Sequence, residues 1–119
     1  MWSGHLSPTQ EQGRAGEDRA LAHLQERGLV LIEANFRCKA GEIDLILRDG
    51  DTLVFVEVRQ RAAGSPVSAL ESIGPSKIRR IVRAAQIYLQ GLARVPPCRI
   101  DVVAIDGDVL EWITNAIEV

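Results

Sequence analysis

Aromatic side chains are scarce in this 119-residue sequence: Trp2, Phe36, Phe55, Tyr88 and Trp112. So few cannot line a platform on which successive bases of a single strand would stack. There are two cysteines, Cys38 and Cys98, and neither lies in a Cys-x-x-Cys or near a histidine pair. That excludes a disulfide framework or a zinc site and predicts two reduced residues in or near the core. No stretch approaches the ~20 apolar residues of a membrane span. Met1 to Gln10 has neither the basic start nor the apolar run of a secretory leader, so a cytoplasmic protein without membrane contact is expected. No P-loop, Gly-x-Ser-x-Gly or dinucleotide motif is present, and neither His5 nor His23 has metal-ligand spacing. Strong positive charge is also missing: 14 Lys and Arg against 16 Asp and Glu give a net charge of −2.

What is present is an ordinary globular balance of 46% apolar and 25% charged residues. The length fits a single domain over residues 1–119, with residues 1–6 expected to be loose. Ser7-Pro8-Thr9-Gln10 reads as a helix start, Ser7 capping and Gln10 closing the box, with the helix running to about Arg27 before Gly28. Strands are expected at Val30–Arg37, Gly41–Leu47 and Thr52–Gln60, the last apolar on both faces as a central strand would be. Asp49-Gly50 is a hairpin turn signal. A loop at Ala62–Pro66, a short helix at Val67–Ile73 and a break at Gly74-Pro75-Ser76 come next. A longer helix follows to about Leu92, with Ile78, Val82, Ala85, Leu89 and Leu92 as its buried stripe. Arg99–Ile105 and Val109–Thr114 complete the order α-β-β-β-α-β-β, a mixed five-stranded sheet flanked by helices.

Three acids stand where burial is expected. Glu17 shares a helical stripe with Ala20, Leu21 and Leu24. Its plain alternative is a boundary glutamate paired with an arginine. Alternation puts Glu42, Asp44 and Ile46 on one face of the second strand, and Leu53, Phe55, Glu57, Arg59 and Arg61 on one face of the third. A two-residue turn at Asp49-Gly50 would pair Arg48 with Asp51 and set Glu42 opposite Glu57. Asp44 would then be a diagonal neighbour of Glu57, roughly 7–8 Å away. Like charges so placed are destabilising unless a divalent cation joins them. Arg59 either stabilises charge on a phosphate or neutralises the acids. From Ser72 to Ile100 the chain carries Lys77, Arg79, Arg80, Arg83, Arg94 and Arg99 and no acid. These form a local basic patch, either a solvated helix face or a set of phosphate contacts. On this reading Lys77, Arg80 and Ala84 share one outward line of the helix, and Arg79 and Arg83 an adjacent one. Lys77, at the start of the helix, is also a candidate cation for the acidic site.

The blocks Gly16-Glu17-Asp18-Arg19-Ala20, Gly41-Glu42-Ile43-Asp44-Leu45-Ile46, Val54-Phe55-Val56-Glu57-Val58-Arg59-Gln60-Arg61 and Arg99-Ile100-Asp101-Val102-Val103 resemble the signature of the YraN-type uncharacterised bacterial proteins. The resemblance covers about residues 8–117. That family is similar to Holliday-junction resolvases and to restriction-endonuclease-like nucleases. It implies a restriction-endonuclease-like α/β fold and a Mg²⁺- or Mn²⁺-dependent endonuclease acting on DNA, including branched DNA. A catalytically inactive nucleic-acid-binding module of the same fold is the alternative. The pattern implies catalytic residues Glu17, Asp44, Glu57 and Arg59, with Asp44, Glu57 and Glu17 as metal ligands and a homodimer as the assembly. DNA contacts are expected from Arg61, Lys77, Arg79, Arg80 and Arg83. The departure is Arg59, where the nuclease pattern has lysine; arginine is permanently charged and cannot act as a base.

Overall fold

The computed structural model describes residues 8–119, with side-chain surroundings from residue 14 onward; the expected loose residues 1–6 and the Ser7 cap lie outside the described residues. Helix α1 (Pro8–Glu26) is followed by strands β1 (Val30–Cys38), β2 (Gly41–Asp49) and β3 (Thr52–Arg61). Helix α2 (Pro75–Gln90) and strands β4 (Cys98–Asp106) and β5 (Val109–Ile117) complete the chain. The strands form one sheet in the order β1-β2-β3-β4-β5, parallel only between β3 and β4 and antiparallel elsewhere. The single parallel pair requires a crossover, and α2 supplies it. No helix of the described residues is long and apolar enough to cross a membrane.

The helices cover opposite faces. Ala20 and Leu24 of α1 pack on Leu45, Leu47, Val54, Val56, Val103 and Ile105. Ile81, Ala84, Ala85 and Leu89 of α2 pack on Ile43, Ile46, Leu53, Phe55, Ile100 and Val102. Alternation along β3 therefore feeds two cores, which is why its middle is apolar at every position. The buried stripe of α2 runs through Ile81 and Ala84, with Ile78, Val82 and Leu92 only partly buried. Lys77 lies one turn before Ile81 on that same stripe and so is turned toward the sheet, not outward as the sequence reading had it. Residues 67–73 form turns instead of a helix. Ser72 N–H bonds Ser68 O at 3.0 Å, Ile73 N–H bonds Leu70 O at 3.2 Å, and the Asp106 carboxylate accepts from Ala69 N–H at 2.8 Å. With local bonds and a long-range carboxylate already using the backbone, no further helical turn is added.

The β2–β3 hairpin closes on Asp49↔Thr52, so its two-residue loop is Gly50-Asp51. Gly50 takes φ +60°, as the first central residue of a type II′ turn requires. Asp49 instead stays in the ladder, its carboxylate 3.0 Å from the Arg99 guanidinium. The register thus moves by two residues from the sequence expectation, and its parity is kept: Ile46, not Asp44, faces Phe55. The step after Leu45↔Val56 brings Asp44 level with Glu57.

Candidate functional site

Asp44 stands where the alternation of β2 fails. Ile43 and Ile46 both enter the core under α2, while Leu45 and Leu47 enter the core under α1. The expected shared face for Glu42, Asp44 and Ile46 is therefore broken at Asp44. On β1, Ala34 pairs with Leu45 and Phe36 with Ile43, and Asn35 between them takes φ +56°. Asparagine tolerates that left-handed conformation better than most residues. The irregularity turns the Asp44 carboxylate back to the neighbouring strand, where it accepts the Val58 N–H at 2.8 Å. A backbone amide on a carboxylate fixes its orientation.

Glu57 is 5% exposed, one of two buried charged residues among those described. Burial pushes its carboxyl well above the usual range. The neighbouring Asp44 adds to the rise through a shared hydrogen bond and through charge, and Lys77 and Arg59 oppose it. The Lys77 ammonium lies 3.4 Å from Glu57 Oε2, yet that oxygen is buried without a hydrogen-bond partner. The contact is an ion pair without a hydrogen bond, so the oxygen keeps unused acceptor capacity. Arg59, expected beside the acids, donates from Nη2 to Ser72 O at 3.1 Å, and its Nε is buried without a partner. Its side chain ties β3 to the 62–74 loop.

From the opposite side, α1 brings in Glu17. Partial burial, then Asp44, Glu42 and Asp18, raise its carboxyl from 4.5 to about 7, with Arg14 opposing. Asn35, with its amide nitrogen turned to the acids, donates to Glu17 Oε1 at 2.9 Å and Glu42 Oε1 at 3.0 Å. These groups line a cavity of about 610 Å³ together with Arg14, Asp18, Leu21 and Arg37. Glu17 can sit this deep because α1 approaches β3 at a glycine: a Cβ on Gly16 would lie 2.5 Å from the Gln60 side-chain oxygen. The structure thus brings Glu17, Asp44 and Glu57 to one end of the sheet, adds Asn35, Glu42 and Lys77, and leaves Arg59 anchored to a loop. Arg61, Arg79, Arg80 and Arg83 are exposed. Sequence reading missed Asn35; its one signal is residue type, an asparagine inside a strand, where a positive φ is tolerated.

Among the described residues, no three His, Cys, Asp or Glu side chains are arranged as a ready cage for a metal ion. The donor set that does exist is two adjacent carboxylates with one free buried oxygen. That suits a hard cation which keeps most of its water, as Mg²⁺ does when held through one or two carboxylates.

On the neighbouring strand β4, in register with Val56, Asp101, fully buried, accepts from Arg99 Nε at 3.0 Å, Trp112 Nε1 at 3.0 Å and Asn115 N–H at 2.8 Å. Every oxygen is engaged within the protein, so this acid holds β4 to β5 and is not available to a ligand.

The sequence profile of Uncharacterised protein family UPF0102 matches residues 16–105, a span that includes Glu17, Asp44, Glu57 and Lys77. A UPF0102 protein of Herminiimonas arsenicoxydans is 56% identical over 106 residues, covering 89% of this chain and 86% of its own length. One from Cupriavidus metallidurans is 57% identical over 113 residues, covering 94% and 84%. One from Acidovorax sp. is 55% identical over 114 residues, covering 92% and 86%. Profile and relatives agree over nearly the whole chain, and the protein belongs to the uncharacterised family UPF0102.

Proposed function

We propose that this protein hydrolyses phosphodiester bonds in DNA with a divalent cation, Mg²⁺ or Mn²⁺, held by Asp44 and Glu57. The observation that carries the reading is the buried Glu57 oxygen beside Asp44, which has no hydrogen bond and only the Lys77 ammonium against it. A protein with no use for such a pair would place like charges elsewhere or pair both oxygens. A bound cation there would supply Lewis acidity and a more acidic water at neutral pH. The chain's own groups do the rest. The Val58 N–H holds Asp44 in position. Glu17, oriented by Asn35, is placed to hold a water or a second ion at the cavity wall. Lys77 supplies positive charge where negative charge develops on the phosphate. Exposed Arg61, Arg79 and Arg83 suit contacts to the DNA backbone. Cytoplasmic location follows if the substrate is chromosomal DNA.

The test is calorimetric titration of Mg²⁺ and Mn²⁺ into the wild type and the Asp44→Asn/Glu57→Gln variant, followed by incubation with linear and branched DNA. Saturable binding lost in the variant, with cation-dependent cleavage, is expected. Equal heats from both proteins would overturn the metal site. Metal binding with no cleavage would favour the second reading, a DNA-binding module without catalysis. Arginine at position 59 supports that reading, because it cannot act as a base and its guanidinium is held by Ser72 O while its charge still acts on Glu57.

A further inference from the structure

A second cavity, about 350 Å³, opens on the α2 side of the same sheet end, lined by Arg37, Cys38, Gly41, Glu42, Lys77 and Arg80. Two elements far apart in sequence make it: the β1–β2 turn and the first turns of α2. Gly41 takes φ +153°, and a Cβ there would lie 3.4 Å from Arg80 Cβ. The close backbone seats the turn on the Arg80 stem and fixes which way that side chain leaves the helix. The Cys38 thiol is held to Gly41 O at 3.5 Å, which stiffens the same turn. Three cations and one acid border the space. The acid, Glu42, is drawn to Asn35 on the far side at 3.0 Å and reaches Arg37 only at 3.9 Å. Helix α2 adds to the positive field, since no side chain caps Gly74 and the first turn contains no acid. Glu42 and Arg37 also line the acidic cavity, so the two cavities border each other at these residues, with Asp44 on the wall of the first and Lys77, the partner of Glu57, on the wall of the second.

We propose that this groove is a phosphate subsite, in which Arg37 and Arg80 grip a non-scissile phosphodiester of the DNA chain next to the one at Asp44 and Glu57. The proposal rests on the phosphodiesterase reading above and specifies the path of the strand: it enters over the β1–β2 turn and is held by charge before it reaches the acids. An acidic centre repels a polyanion, and a flanking basic clamp offsets that repulsion without occupying the reacting position. Lys77, engaged with Glu57, forms the wall between subsite and centre. Arg37 and Arg80 are the two cations of the groove not committed to the acidic pair.

The experiment is binding of a fluorescein-labelled DNA duplex, in EDTA and over a range of KCl concentrations. It compares the wild type, Arg37→Ala/Arg80→Ala, and the charge-matched control Arg27→Ala/Arg48→Ala on surfaces away from the groove. The groove variant should lose about 10-fold or more in affinity, with the log–log salt slope smaller by about 1–2, while the control keeps the wild-type slope. Arg80→Lys should keep the slope and Arg80→Glu should lose more than Arg80→Ala; both sit on an exposed helix position where folding is preserved. Equal losses in groove and control variants, or wild-type binding in the groove variant, would overturn the subsite, as would absence of DNA binding by the wild type. Calorimetric Mg²⁺ titration of the groove variant keeps the two proposals separate. Retained metal binding with unchanged DNA affinity removes the subsite alone, whereas loss of metal binding only in Asp44→Asn/Glu57→Gln supports the centre whatever the groove does.

Discussion

Glu57 and Asp44 are two carboxylates forced together, and Glu17 is a third held close to them. For an acid whose carboxyl is raised in the folded state, the sign is fixed. At pH below about 4.5 both folded and unfolded chains hold the proton. As pH rises the unfolded chain releases it first, and the folded chain is progressively disfavoured until the folded group also ionises. Without added metal, the thermal midpoint should therefore fall between about pH 4.5 and 7 through Glu17, and continue to fall above that through Glu57. Circular-dichroism melts at stepped pH check this. Glu57→Gln should flatten the upper part of the curve, and an unchanged slope in that variant would refute the assignment. The clustering of the acids was legible in the sequence because Glu17 stands on an apolar helical stripe and alternation sets Asp44 and Glu57 on one side of a hairpin. Asn35 was not, since its part depends on a positive φ that no spacing rule announces.

The elements show where local pattern suffices and where it does not. Parity across the β2–β3 hairpin followed from period-two alternation, even though the turn itself moved by one residue once Asp49 found Arg99. The expected stripe of α2 holds at Ala85 and Leu89, while Ile78, Val82 and Leu92 flank it; contact with the sheet adds Ile81 and Ala84 to it and turns Lys77 inward. Two element-level predictions follow from close contacts. Gly16→Ala puts a methyl against the movable end of the Gln60 side chain but gains about 1 kcal/mol of helix propensity, so its net effect should stay within about 1 kcal/mol. Gly16→Ala with Gln60→Ala should be more stable than the sum of the two single changes, a coupling visible in a urea-denaturation double-mutant cycle. Asp101→Ala breaks a buried ion pair and strands the Trp112 and Asn115 donors, so a loss of about 3–5 kcal/mol is expected. A loss under about 1 kcal/mol would mean that β5 does not depend on that carboxylate.

At the scale of the whole molecule the acids of the sheet fall into two groups of opposite character: the Asp101 network is closed on itself, while Asp44 and Glu17 line an open cavity and Lys77, the partner of Glu57, lines a second. Only the open group should respond to a cation. Millimolar Mg²⁺ should raise the thermal midpoint at pH 8, where the acids are closest to ionised, and do so little at pH 5. A cation at 100 times its dissociation constant contributes about 2.7 kcal/mol. The Asp44→Asn/Glu57→Gln variant should not respond, and a wild type indifferent to Mg²⁺ in differential scanning fluorimetry would contradict the site. The order of the chain also gives these groups a history. Asp44 and Glu57 meet across a two-residue turn, a contact of short loop and fast closure, whereas Lys77 arrives only with the crossover helix that joins β3 to its parallel partner β4. During folding the repulsion precedes its remedy. Above about pH 9, where Glu57 is ionised, Glu57→Gln should accordingly refold faster than the wild type in stopped-flow experiments, so a pair that the finished fold holds in place slows the making of it.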